Sequence, residues 1–189
     1  RKVNAKPAKD KTVLVDFSDY LPSNLAPASF IGTPVFDGDK YIGVLIIQMP
    51  VRRINEVMTS SGQWEEEGLG RTGQSYLLGW DGLYRSENRF FLEAPEAFLA
   101  SLEANPNLAG TARDIREFGT TIKRLPTALG ADQMQKLFET GSVDREITPA
   151  NGGKPQLSVA RAVDIGGLNW TLIAEIESDE ALAAVRAMR

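Results

Sequence analysis

The 189-residue sequence predicts an α+β protein: a five-stranded antiparallel sheet interrupted by a helical insertion, preceded by part of a second module of similar build. Three observations predict it. Short β-rich runs are punctuated by turn signals at Asp37-Gly38, Asp81-Gly82, Asn151-Gly152-Gly153 and Gly166-Gly167, where tight hairpins demand positive φ. Between the second and third of these signals, the stretch from Pro95 to Gly141 changes to helical spacing. Residues 29–58 can also be set beside 159–188, each a strand, a glycine-containing turn, a strand rich in Ile, Leu and Val, then an amphipathic helix.

Residues 1–11 carry Arg1, Lys2, Lys6, Lys9 and Lys11 with almost nothing to bury, and read as a frayed lead-in. Val13 to Phe17 is a short strand, followed by a loop holding Pro22 and Pro27. Phe30 to Phe36 is a second strand. Its Pro34 cannot donate to a ladder, which assigns the strand to an edge or gives it a bulge. After the Asp37-Gly38 turn, Tyr41 to Met49 is almost continuously apolar, as expected of a strand covered on both faces. Pro50 ends it. Val51, Ile54, Val57 and Met58 then form the apolar stripe of a short helix.

The glycine-rich, polar residues 59–73 make the best internal boundary. Beyond them Gln74 to Trp80 and Leu83 to Phe90 read as two hairpin strands around Asp81-Gly82. Pro95 suits a first helical position ahead of Phe98, Leu99 and Leu102, and Asp132 opens a helix that stops at Gly141. A meander follows: Val143 to Thr148, Leu157 to Asp164 and Leu168 to Glu177. Ser178 caps a last helix with acidic Asp179 and Glu180 in its first turn, Leu182, Val185 and Met188 as its apolar positions, and Arg186 and Arg189 near its end, matching the helix dipole. Strand, strand, helices and three strands is the PAS-like order, in which the sheet is a floor and the insertion a lid over a small cavity.

Composition narrows the function. The chain is 42% hydrophobic and 24% charged, enough to fold around a core, and its net charge of −4 argues against nucleic acid, which calls for a basic face. Neither Cys nor His occurs, which removes thiolate and imidazole metal sites, cysteine nucleophiles and imidazole general bases. No apolar run approaches the roughly 18 residues of a membrane span, so any membrane contact is expected through spans outside this chain. The first residue is Arg1 and no C-terminal cap signal follows the last helix, so the sequence reads as a piece of something longer.

Several motifs invite a chemical reading. Gly68-Leu69-Gly70-Arg71-Thr72-Gly73 spells the dinucleotide fingerprint, but an acidic stretch precedes it and a strand follows, the wrong context for a pyrophosphate at a helix N-terminus. Glu65-Glu66-Glu67 reads as a solvated run, and Asp37-Gly38-Asp39 as a turn rather than a calcium loop. Arg85-Ser86-Glu87-Asn88-Arg89 packs hydrogen-bonding side chains together, either as a clamp for an acidic ligand or as a strand end with its own ion pair. Arg161 shares strand parity with Leu157, Val159 and Val163; on a buried face it would require an acidic partner, within the fold or as a ligand. Tyr76 and Trp80 share a face of one strand and suit either a pocket wall or plain core.

The stretch from Gly68 to Gly82 (GLGRTGQSYLLGWDG), with Arg85-Ser86 and Arg89, resembles the start of the membrane-proximal module of double-Cache sensors. Tyr20-Leu21-Pro22-Ser23, Ala26 to Phe30 and Ile42 through Asn55 resemble the end of the distal module, and Gly167 to Glu175 the last strand of the proximal one. Gln74 departs from the acidic residue usual in that family. The resemblance implies the extracytoplasmic sensor of a bacterial transmembrane receptor such as an adenylate/guanylate cyclase, histidine kinase or chemoreceptor. It implies residues 1–58 as the end of the distal module, 59–178 as the proximal module, and 179–189 as a helix leading toward a membrane span. The expected function is small-molecule sensing without catalysis or cofactor. The ligand would be anionic or zwitterionic, held by Tyr76, Trp80, Arg85, Ser86, Arg89 and Arg161 between the sheet and the 93–141 insertion. A structural or dimerising module, forming a homodimer without ligand, and a carboxylate-based hydrolase are the alternatives.

Overall fold

The structure, a computed structural model, describes residues 8–147 and 154–183. Its contacts divide the chain into two compact units, the first running to Pro50 with residues 164–168 attached, the second holding Val51 to Val163 and the chain from Asn169. The division falls at Pro50 and not in 59–73, so the helix α1 (Val51–Met58) belongs with the second unit.

The first unit is an antiparallel sheet of β1 (Val13–Asp19), β2 (Pro27–Asp37) and β3 (Lys40–Gln48), in that order. The turn between β2 and β3 pairs Asp37 with Lys40 and places Gly38 at φ +58°, the conformation that made Asp-Gly legible. Pro34 lies in the central strand, opposite Val44, immediately before a register shift at Val35/Phe36. The bulge, rather than an edge, accommodates it. The expectation for β3 fails: Ile46 is 64% exposed, and Ile42, Leu45 and Ile47 are exposed too. Among the described residues this unit has no α-helix to lie over the sheet, so an apolar run that asks for cover on both faces does not receive it.

The second unit is built on a four-stranded sheet in the order β4-β7-β6-β5, from β4 (Gln74–Leu78), β5 (Ser142–Ile147), β6 (Gln156–Ile165) and β7 (Leu168–Glu177). Four helices separate β4 from β5: α2 (Arg89–Glu93), α3 (Pro95–Glu103), α4 (Ala109–Phe118) and α5 (Ala131–Thr140). Pro95 starts α3, and α5 runs from Gly130 to the left-handed Gly141. One core joins the sheet to this insertion. Tyr76 and Leu78 of β4, Ile173 of β7, Ala160 of β6 and Val143 of β5 meet Phe98, Leu102, Ile115 and Leu137 of the helices. Each fully buried aliphatic side chain there contributes about 1.5–3 kcal/mol.

The fifth strand expected at Leu83–Phe90 is reduced to two isolated bridges, Leu83 to Pro126 and Tyr84 to Leu78 of β4. Four residues on, the Asn88 side chain accepts hydrogen bonds from the N–H groups of Phe90 and Phe91 and caps α2, turning the chain out of the sheet. The last helix, α6, is described over Ser178–Ala181; Ser178 is its first residue and Glu177 the capping position, without a side-chain cap. Thr148, the Asn151-Gly152-Gly153 turn and residues 184–189 lie outside the described residues.

Candidate functional site

Strand pairing assembles the polar centre of the second unit. The β4–β7 register sets Gln74 against Glu175 and Tyr76 against Ile173, so Gln74, Tyr76 and Glu175 share the face turned to the helices. Glu175 accepts from Gln74 Nε2 at 2.7 Å and from the Tyr76 hydroxyl at 3.1 Å. Gln74 in turn accepts from Asn88 Nδ2 at 2.9 Å. Tyr84 lies flat on Tyr76, ring centroids 4.2 Å apart and planes 8° from parallel. These five residues border a cavity of about 440 Å³, whose opposite wall includes Phe98 and Leu102 of α3 with Leu108 and Leu125. The cavity lies between the sheet and the insertion, where the strand order places a PAS-like pocket.

Its electrostatics are set by buried oxygen. Glu175 is 6% exposed, and burial raises its carboxyl above the ordinary range, against the lowering effect of the Gln74 and Tyr76 donors. Burial likewise pushes the Tyr76 and Tyr84 phenols up, with Glu175 adding to both. The other charged lining residues are already matched: Lys154 with Glu177 at 3.0 Å, and Glu93 with Arg89 at 2.9 Å. Three carboxylates therefore line the cavity, and two of them, Glu93 and Glu177, are held by cations. Among the described residues no group of three His, Cys, Asp or Glu side chains could hold a metal ion.

Of the six residues expected at the site, Tyr76 alone lines this cavity. Trp80 is 69% exposed, because β4 ends at Leu78 and strand parity does not extend into the following turn. Arg85 is buried but committed: it pairs with Asp81 at 3.0 Å and donates to the Leu83 carbonyl at 2.9 Å. Burial alone would raise the Asp81 carboxyl, yet the Arg85 and Lys123 hydrogen bonds and the Leu83 N–H hold it below the usual range. Ser86 accepts from the Leu77 N–H at 3.1 Å. Arg89 pairs with Glu93, donates to the carbonyls of Gly70 and Gly73, and lies 4.6 Å from the centre of the Trp64 ring.

Arg161 overturns the parity argument. On β6 the buried side chains are Ser158 and Ala160, while Leu157 and Val159 are exposed with Arg161, whose side chain is 47% accessible. Its ion pair is with Asp144 on the neighbouring strand, diagonal to it in the register. The packed face of this strand takes small residues beneath the helices, so the larger apolar side chains were a false guide. Asn88 belonged to the stretch read as a clamp without being singled out, and Gln74, Tyr84 and Glu175 are the lining residues that sequence reasoning missed. Glu175 carried the better signal: a carboxylate inside an apolar strand, in phase with the buried Ile173.

The Gly68–Gly73 string has a different use from the one it spells. Its Arg71 and Thr72 N–H groups, each at 2.9 Å, and the Thr72 hydroxyl donate to the carboxylate of Glu180 in α6. Led by the Thr72 hydroxyl, these donors lower the Glu180 carboxyl to about 2. The anion at these backbone amides is therefore a side chain of the same chain.

No family model matches the sequence, and no curated protein does. The fold recurs among solved structures. The ligand-binding domain of the Pseudomonas fluorescens chemoreceptor CtaA, in complex with L-alanine, is 11% identical with a TM-score of 0.52, over 95% of this chain and 60% of that one. The extracellular ligand binding receptor from Desulfohalobium retbaense DSM5692 is 10% identical with a TM-score of 0.52, over 93% of this chain and 23% of that one. The likeness shows the fold: α+β, with antiparallel sheets, as in these ligand-binding domains. The chain spans less than two thirds of the length of either.

Proposed function

We propose that this chain is the extracytoplasmic ligand-sensing region of a transmembrane receptor of the double-Cache type. A small molecule enters the cavity of the second unit, and the change it causes passes through β7 and the segment after it toward a cytoplasmic output domain. The observation that carries this reading is the cavity, bordered by buried hydrogen-bonding side chains on the strand that runs directly into α6. Support comes from the fold shared with a chemoreceptor domain solved with L-alanine. The reading is of a receptor domain rather than an enzyme. Among the described residues no helix is long and apolar enough to cross a membrane.

The expectation of an anionic or zwitterionic ligand placed it on Arg85 and Arg161, and neither lines the cavity; a small zwitterion remains in keeping with the chemoreceptor domain solved with L-alanine. A thermal-shift screen of amines, amino acids, organic acids and nucleobases tests the proposal. A ligand at about a hundredfold its Kd adds roughly 2.7 kcal/mol, a shift of several degrees. A screen in which no compound moves the melting temperature counts against sensing. One observation favours the alternative of a homodimerising module, the exposed apolar side chains of β3, and sedimentation analysis showing a dimer with no ligand response would support it.

A further inference from the structure

The sensing reading leaves the ligand's charge open, and the cavity supplies it. Glu175 is more than nine-tenths buried, and its carboxylate receives two hydrogen bonds, both from neutral groups, although it has room for about four. Among the described residues no Lys or Arg forms an ion pair with it. The two cations nearest the lining are spoken for, Lys154 by Glu177 and Arg89 by Glu93. A buried carboxylate with no counter-charge is costly; a proton or a hydrogen-bond donor relieves it, and a positively charged donor relieves it most. An acid would instead bring a second negative charge beside Glu175, whose lining neighbours Glu93 and Glu177 already hold their own cations.

The rest of the wall selects the kind of cation. Stacked Tyr76 and Tyr84 border the cavity beside the carboxylate, which the Tyr76 hydroxyl reaches. An apolar part of the lining is supplied by Phe98, Leu102, Leu108 and Leu125. The cavity of about 440 Å³ falls within the range of small-molecule sites. We propose that its occupant is a small primary amine whose ammonium pairs with Glu175 and whose apolar tail lies against Phe98 and Leu102. This rests on the sensing reading above and deepens it. An α-amino acid carries the same ammonium, so free amines and amino acids are separate arms of the test.

The test is calorimetric titration of the 189-residue chain with isoamylamine and phenethylamine, their alcohols, the matched acids isovalerate and 3-phenylpropionate, and L-leucine and L-phenylalanine. The amines are expected to bind at least about tenfold more tightly than alcohols or acids, and Glu175→Gln to weaken them by about tenfold or more. Binding of the amino acids with the same Glu175→Gln loss upholds the site and names its source. Alcohols or acids binding as tightly as amines, or undiminished amine binding by Glu175→Gln, overturns the amine assignment and leaves sensing intact. Binding by none of these compounds overturns the amine assignment, and the wider thermal-shift screen then decides sensing. Should Glu175→Gln fail to fold, the parent's discrimination between amine and alcohol decides, together with Ser101→Phe, which fills the cavity from α3 and should abolish binding.

Discussion

Replacing Arg85 by alanine separates a structural arginine from a ligand clamp. The guanidinium is 1% exposed, bonded to Asp81 and the Leu83 carbonyl, and packed so closely under Gly79 that a side chain there would collide with it. Removing one partner of a buried ion pair costs about 3–5 kcal/mol. Asp81 is not stranded, because Lys123 and the Leu83 N–H still hold it, and the Leu83 carbonyl keeps the Gly79 N–H. The charge penalty therefore falls at the low end, and the void left by the arginine stem adds to it. Arg85→Ala should lose about 3 kcal/mol, and Arg85→Met, which refills most of the volume, about 1–2 kcal/mol. Urea unfolding followed by circular dichroism reads this directly, since with m of about 1–3 kcal/mol/M the alanine midpoint falls by roughly 1–2 M or more. Both variants unfolding like the parent while losing the response to ligand would refute this account and restore the clamp.

Arg161→Ala should leave both melting temperature and ligand response unchanged, because its pair with Asp144 is solvated; a lost response in the thermal-shift screen would return the residue to the site. Glu180 sets a pH dependence. Its carboxyl is held at about 2, below its unfolded value near about 4.3, so its contribution is full above the unfolded value and is lost as pH falls through about 2. Between those values the parent should lose more stability than Glu180→Gln, and parallel unfolding curves for the two would contradict the assignment.

The turns and helix starts were legible because they depend on local chemistry: Gly38 at positive φ, Pro95 opening α3, Gly141 ending α5. Residues whose meaning depends on distant partners were not. Arg161 looked buried because neighbours of its parity were apolar, yet the packed side of β6 is the one with Ser158 and Ala160. Leu83 to Phe90 has the composition of a strand, and one capping side chain, Asn88, outweighs it. Tyr76 reached the cavity wall from strand alternation alone. Its partners Gln74 and Glu175 meet only through a pairing 101 residues apart in sequence, which no local pattern encodes.

Thr72 has two duties at one atom. It lines the cavity, and its hydroxyl both donates to Glu180 and accepts the N–H of Glu177 at 3.2 Å, across the junction of β7 and α6. Cavity wall and the start of α6 thus meet at Thr72, alongside the Arg71 and Thr72 N–H groups that also hold Glu180. Under the proposed sensing role, an occupant displacing this side chain would strain both hydroxyl bonds together, so that filling the cavity would bear directly on the start of α6.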